Sequence, residues 1–166
     1  MEDFSVPDTA VIGSDARAVR QAFLQAIPIF AGISPAAIAQ IASTAQEAVF
    51  QKGDVIVREG EPGDRMFIIA SGSVEVVKYL AERRETVLAV LRARDFLGEM
   101  SIIDCVARSA SVRAVEDTSL IALRSIDLYH LFQHHPEQYA IVILNIARDI
   151  SRRLRAIDEK FAAISH

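Results

Sequence analysis

Cysteine occurs once, so no internal disulfide framework is available, and a lone thiol suits a reducing cytosol. Positive charge is also in short supply: 18 lysines and arginines stand against 22 aspartates and glutamates, for a net charge of −4. That balance argues against a nucleic-acid backbone or an acidic membrane as the dominant partner. No apolar run approaches the roughly 20 residues that a membrane-spanning helix needs. Residues 1–13 lack the basic start and apolar stretch of a secretory signal, so a soluble, cytoplasmic protein without membrane insertion is expected. Histidine is sparse: His130, His134, His135 and His166 all lie outside the strand-like region. A metal-dependent enzyme on a β barrel needs several histidines and an acid converging inside it, so no metal site is expected. No nucleophile–base pair is evident either, and no catalytic residue is assigned.

At 166 residues and 51% hydrophobic, the chain can bury one good core. A loose arm is expected over 1–13 and a single domain over 14–166. Helices are expected over 14–46. Ser14 can cap the first, with Ala18, Phe23, Ala26 and Ile27 near one face. Ser34-Pro35 starts the second, with Ile38, Ile41 and Ala42 as its inward stripe.

Over 47–124 short β-rich runs alternate with turn signals such as Lys52-Gly53-Asp54, Glu61-Pro62-Gly63-Asp64 and Ser71-Gly72. The runs are Ala48–Phe50, Val55–Val57, Met66–Ile69, Val74–Val77, Val87–Leu91, Ala110–Val112 and Leu120–Leu123. Many short strands without long intervening helices predict an antiparallel sandwich or jelly roll. The charged stretch Ala81–Glu85 reads as a solvated hairpin tip.

Over 125–161 the period is helical again. Ser125 can cap a helix through Leu128, Leu131 and Phe132 that breaks near His134-His135-Pro136. A long helix follows from about Glu137 to Phe161. Its Ile143, Ala147, Ile150, Leu154, Ile157 and Phe161 recur at spacings of four and three, close to a heptad seam. The stripe runs beyond what the domain should cover, so a homodimer through this helix is expected.

The chemistry concentrates between Phe96 and Val112. Gly98 permits a tight turn or a close main-chain approach, Glu99 follows, and Met100–Asp104 suits a short helical turn with free amides at its start. Arg108 arrives nine residues after Glu99, with a planar fork of donors suited to phosphate. An acid able to accept from sugar hydroxyls, an arginine and free amides together describe a nucleotide-sized pocket.

Gly98-Glu99-Met100-Ser101-Ile102-Ile103, a short spacer and Arg108-Ser109-Ala110-Ser111-Val112 resemble the phosphate-binding cassette of the cyclic nucleotide-binding domain family. Further matching stretches are Ile27–Phe30, Lys52–Ile56 and Arg58–Val74, so the resemblance covers about Ile27 to Leu154. It implies an α+β fold: an antiparallel jelly roll flanked by N-terminal helices and two C-terminal helices, the last one long. It also implies that Glu99 accepts from the ribose 2′-hydroxyl, that Arg108 holds the cyclic phosphate, and that the backbone of Gly98, Met100, Ser101, Ser109 and Ala110 completes the cradle. Serine at 109 is compatible with either cAMP or cGMP, and cAMP is favoured. Val87 and Leu88 are candidate walls for the base, or ordinary core. The final helix supplies the lid in this family, with Asn145, Arg148, Asp149 and Arg152 as polar candidates. Arg148, Arg152, Arg153 and Arg155 read equally as a solvated face. This chain departs from the family pattern at Arg94-Asp95-Phe96-Leu97, which lacks a glycine and one aromatic, and at Cys105-Val106-Ala107, where small polar residues and proline are usual. Cys105 itself reads as a small buried or loop thiol.

These readings favour a non-catalytic receptor for a cyclic mononucleotide, without further cofactor, that signals to a downstream protein by rearranging its C-terminal helices. A sensor fragment of a transcription regulator is the alternative; no helix-turn-helix follows the long helix, and Met1 suggests a complete chain that does not bind DNA directly. An interaction scaffold that has lost nucleotide binding is the other alternative, against which the Glu99/Arg108 pair counts.

Overall fold

The computed structural model describes residues 14–79, 84–104 and 106–164. The expected arm, most of the charged tip and Cys105 lie outside the described residues. The helices come first: α1 (Ser14–Gln25), a 3₁₀ turn (Pro28–Phe30) and α2 (Pro35–Thr44). Eight strands follow: β1 (Gln46–Phe50), β2 (Val55–Val57), β3 (Arg65–Ser71), β4 (Ser73–Lys78), β5 (Thr86–Arg92), β6 (Phe96–Leu97), β7 (Ser111–Ala114) and β8 (Thr118–Arg124). Helix α3 (Glu99–Ile103) interrupts them between β6 and β7, and α4 (Ser125–His134) and α5 (Pro136–Ile164) close the chain.

The strands form two antiparallel four-stranded sheets, ordered β1-β8-β3-β6 and β2-β7-β4-β5, the expected jelly roll. The first sheet is covered on both faces. Met66 and Ile68 of β3 join Ile121 and Leu123 of β8 under the helices, whereas Phe67 and Ile69 join Leu120 and Ala122 between the sheets. Burial on both faces is why β3 reads as an unbroken apolar run rather than an alternation. The second sheet alternates: Val74 points into the core, while Glu75 points out and pairs with Arg113. The two-residue β6, too short to leave a pattern in the sequence, pairs Phe67 with Leu97 and Ile68 with Phe96. It thereby fixes the chain just ahead of Gly98.

Two local expectations need correction. Ala18 of α1 and Ala26 just beyond it are exposed; the buried residues of α1 are Arg20 and Leu24, with Ile27 buried ahead of the 3₁₀ turn. Arg20 is buried because its guanidinium is satisfied, donating to Ala42 O and Ala45 O, both at 3.1 Å, and to Glu47 Oε1 at 2.8 Å. The start of α4 is capped by Asp127 rather than Ser125: the buried carboxylate accepts from Arg124 N at 3.0 Å and from the Arg124 guanidinium at 2.8 Å. The α5 stripe that docks on the domain is Val142 and Ile146, with Ile150 partly buried. Leu154 and Ile157 are 57% and 61% exposed, so the upper part of the seam read from the sequence covers none of this domain's core.

The β5–β6 turn is closed by main-chain hydrogen bonds. Asp95 N donates to Arg92 O, Arg94 N donates to Ile69 O, and Arg94 adopts φ +76°. A left-handed conformation costs a side-chain-bearing residue about 1–2 kcal/mol, part of which glycine would give back through its freer unfolded chain. Arg94→Gly is therefore expected to stabilise the fold by roughly 0.5–1 kcal/mol, raising Tm by about 1–3 °C in a thermal melt. An unchanged or lower Tm would contradict strain at this residue.

Candidate functional site

The site is assembled where β6 ends. Gly98 has φ +81°, and a Cβ there would run into the Arg108 guanidinium and lie 3.1 Å from Arg65 O, so only glycine turns the chain here. The turn delivers Glu99 as the first residue of α3, whose leading amides have no intrahelical acceptor. On the far side, the loop Gly60–Asp64 holds the returning chain: Gly60 N donates to Arg108 O at 2.9 Å and Arg108 N to Glu61 O at 2.8 Å. Gly63 sits so close that an added Cβ would be 2.5 Å from Ser101 Cβ and 2.9 Å from Arg108 Nε.

Arg108 is only 7% exposed. Nη2 donates to Arg65 O at 2.8 Å and Nη1 to Gly98 O at 3.4 Å, and the guanidinium lies 5.9 Å from the Phe67 ring centroid. A guanidinium carries five N–H donors. With two used, three find no acceptor among the described residues. No carboxylate lies within ion-pair distance among those residues, and burial pulls the Arg108 pKa down despite the distant pull of Asp64. The geometry leaves Arg108 as a cation with spare donors and no carboxylate partner among the described residues.

Glu99 is also buried, at 7% exposure, and burial pushes its carboxyl above the usual range, partly offset by hydrogen bonding to its own backbone and by Arg153. Arg153, on α5, lies 3.9 Å from Glu99 Oε1, donates to Phe96 O at 3.2 Å, stacks 4.6 Å over the Phe96 ring and has its Nε 2.6 Å from Asp149. Sequence reading grouped it with a solvated arginine face and missed it. The signal lay in the phase of the helix: Val142, Ile146 and Ile150 set the docking side, and Arg153 continues it by one more step.

The structure thus gathers Gly98, Glu99, Ser101 and Arg108. Ala110 is buried beside them in sequence, whereas Ser109 and the side chain of Met100 are exposed. Val87 and Leu88 lie on β5, 48% and 55% exposed. The register slips there, with Val76 opposite Ala89 and Val77 opposite Val87, so Leu88 is the extra residue of a β-bulge and strict alternation does not separate the two. The lid candidates are engaged elsewhere. Asn145 donates to Ile29 O and Ala31 O, anchoring α5 to the 3₁₀ turn, and accepts from Arg148. Asp149 accepts from Arg152 and forms an ion pair with Arg153 on its own helix. Among the described residues, no three His, Cys, Asp or Glu gather to hold a metal ion.

Comparison with known proteins agrees with this geometry. A family model described as the cyclic nucleotide-binding domain matches residues 47–135. The chain is 31% identical over 134 residues to a CRP-like cAMP-activated global transcriptional regulator of Mycobacterium tuberculosis, covering 81% of this chain and 58% of the relative. It is 34% identical over 138 residues to the cyclic AMP receptor protein of Thermus thermophilus, covering 83% and 62%. The chain therefore spans about three fifths of the length of these relatives. A crystal structure of a cyclic nucleotide-binding domain from Methylobacillus flagellatus superposes with a TM-score of 0.76 at 25% identity, covering 88% of this chain and 82% of that one.

The burial of Glu99 yields a pH prediction. An acid whose pKa is raised on folding favours the native state while protonated, and that contribution is lost as pH rises from the unfolded value through the folded one. Glu99→Gln removes the cost of the buried charge. It is expected to melt about 2–4 °C higher than the parent near pH 7, the shift of ~1 kcal/mol in a chain of this size, with the difference vanishing near pH 4. Equal melting temperatures at pH 7 would show that the carboxylate carries no such cost.

Proposed function

The chain belongs to the cyclic nucleotide-binding domain family, and we propose that it is a non-catalytic, cytoplasmic receptor for a cyclic purine mononucleotide, cAMP ahead of cGMP. The observation that carries this reading is the buried Arg108 with three N–H donors lacking a protein acceptor. A cyclic phosphate supplies an anion of the right size, and the leading amides of α3 with those of Ser109 and Ala110 complete its cradle. Glu99 takes the ribose 2′-hydroxyl, and Val87 and Leu88 offer the base an apolar wall. The names of the two curated relatives above favour cAMP; Ser109 suits either base.

Signalling follows from what the site touches. Arg153 bridges α5 to Phe96 and Glu99, and Ser125 N donates to Asp64 O at 2.7 Å, joining the start of α4 to the loop that holds Arg108. A ligand shifts these helices only to the extent that it binds one arrangement better than another. The exposed stripe through Leu154 and Ile157 is the surface for a second copy of the chain, and no helix among the described residues is long and apolar enough to cross a membrane. A second reading has its own support: because the chain spans about three fifths of relatives named as transcriptional regulators or receptors, it fits the sensor part of such a regulator.

Isothermal titration is expected to show cAMP binding at micromolar affinity or better. Arg108→Ala should weaken it by about 100-fold or more, because the phosphate is left buried without its partner. Equal affinity in the variant would refute the phosphate assignment. In sedimentation, the parent should run as a dimer and the double variant Leu154→Glu/Ile157→Glu as a monomer. A parent that stays monomeric at high concentration would remove α5 as a subunit interface.

A further inference from the structure

A cavity of about 350 Å³ opens on the segment carrying the site, yet neither Glu99 nor Arg108, nor Val87 or Leu88, lines it. Its walls are Gly60, Pro62 and Gly63 of the loop, Ser101 and Ile102 of α3, and Ala107 ahead of Arg108. The volume falls at the low end of the roughly 300–1,000 Å³ typical of small-molecule sites. Apart from Ser101 these side chains are apolar or absent. Ser101 is only 5% exposed, and its hydroxyl has no hydrogen-bond partner among the described residues although it borders the cavity. A hydroxyl that borders the cavity and has no protein partner is free to accept or donate a hydrogen bond to an occupant.

Charge separates this cavity from the nucleotide site. Asp64 lines it too, its carboxylate gripped by the Arg65 guanidinium at 2.8 and 3.1 Å and held below the usual carboxylate range mainly by that hydrogen bonding. With that pair neutralised and no lysine, arginine or histidine among the lining residues, nothing here offers a nucleotide phosphate a cationic partner. The walls are also the moving parts of the proposed receptor. The loop bonds the Arg108 backbone in both directions, and Ser125, another lining residue, donates from its amide to Asp64 O.

We propose that this cavity is a second small-molecule site, taking a compact, uncharged, largely apolar molecule with one hydrogen-bonding group for Ser101 Oγ, and that its occupancy is coupled to the nucleotide site. The coupling, though not the site, rests on the cAMP reading above. Ser101 carries it, its side chain facing the cavity while its amide belongs to the leading turn of α3, and so does the loop that fixes Arg108.

Indole, a neutral bicycle with a single N–H, is a suitable probe. Titrated into the full chain and followed by backbone amide chemical shifts, it is expected to saturate with a Kd of about 1 mM, as befits so few atoms. The shifts should centre on Gly60, Gly63, Ser101 and Ala107. Ala107→Phe, which fills the cavity, should abolish saturation, and Ser101→Ala should weaken binding at least about 5-fold by removing the acceptor. Shifts that do not saturate, or that persist unchanged in both variants, would overturn the site. With indole saturating, the Kd for cAMP should change at least about 3-fold, and cAMP should change the Kd for indole by the same factor. Unchanged cAMP affinity would overturn the coupling alone, and failure of cAMP to bind at all would sink the receptor reading while leaving the indole titration to stand or fall by itself.

Discussion

The structure depends on keeping one guanidinium out of water without giving it a carboxylate. Two main-chain carbonyls and an aromatic face satisfy Arg108 only in part, and the chain around it is shaped to that end. Gly98 and Gly63 are glycines because any side chain would occupy the space the arginine needs. The loop Gly60–Asp64 grips the arginine's own backbone, so the cation cannot retreat to the surface without breaking two hydrogen bonds. A structural ion pair would have neutralised the charge and closed the site. Leaving it unneutralised is what allows the anion proposed above to complete it.

Around that centre the fold divides its labour between two sheets. The sheet buried on both faces is the rigid one, with its central strands shared between two apolar clusters. It carries β6 and thus the start of the cassette. The second sheet, one-sided and edged by β5, supplies the half-exposed valines and leucine near a register slip. Helix α5 is pinned to the first sheet's cover by Val142, Ile146 and Asn145, and reaches the site only at Arg153.

Much of this was legible in the residues, and the exceptions share a cause. Strands with several apolar residues, the Ser34 cap and the Gly98–Arg108 spacing leave local marks, and each fell where the pattern put it. What escaped were features decided by tertiary contact. Two residues of β6 carry no period at all. Arg20 looks solvated until Ala42, Ala45 and Glu47 are seen to converge on it. The stripe through Ile143 and Ala147 pointed to a second subunit, while the face that docks on this domain, Val142 and Ile146, left no separate mark because Val142 and Ile143 are equally apolar. Arg153 was hidden among the arginines beside it, and Asn145, named as a lid candidate, anchors the helix to Ala31 O. The left-handed backbone at Arg94 left no mark either, because arginine gives no sign that the turn places it at φ +76°.

The unpacked end of α5 has a thermodynamic corollary. From Ser151 to Ile164 the helix spans only about four turns and rests on its own domain chiefly through Arg153. Segments of that length are marginal as isolated helices in water, their ordering normally underwritten by burial of an apolar face. Helicity in this segment and coverage of Leu154 and Ile157 are therefore two descriptions of a single equilibrium. In the dimer proposed above, dilution that strips away the second copy should also fray the helix, lowering ellipticity and speeding amide exchange there, while the barrel remains as it was.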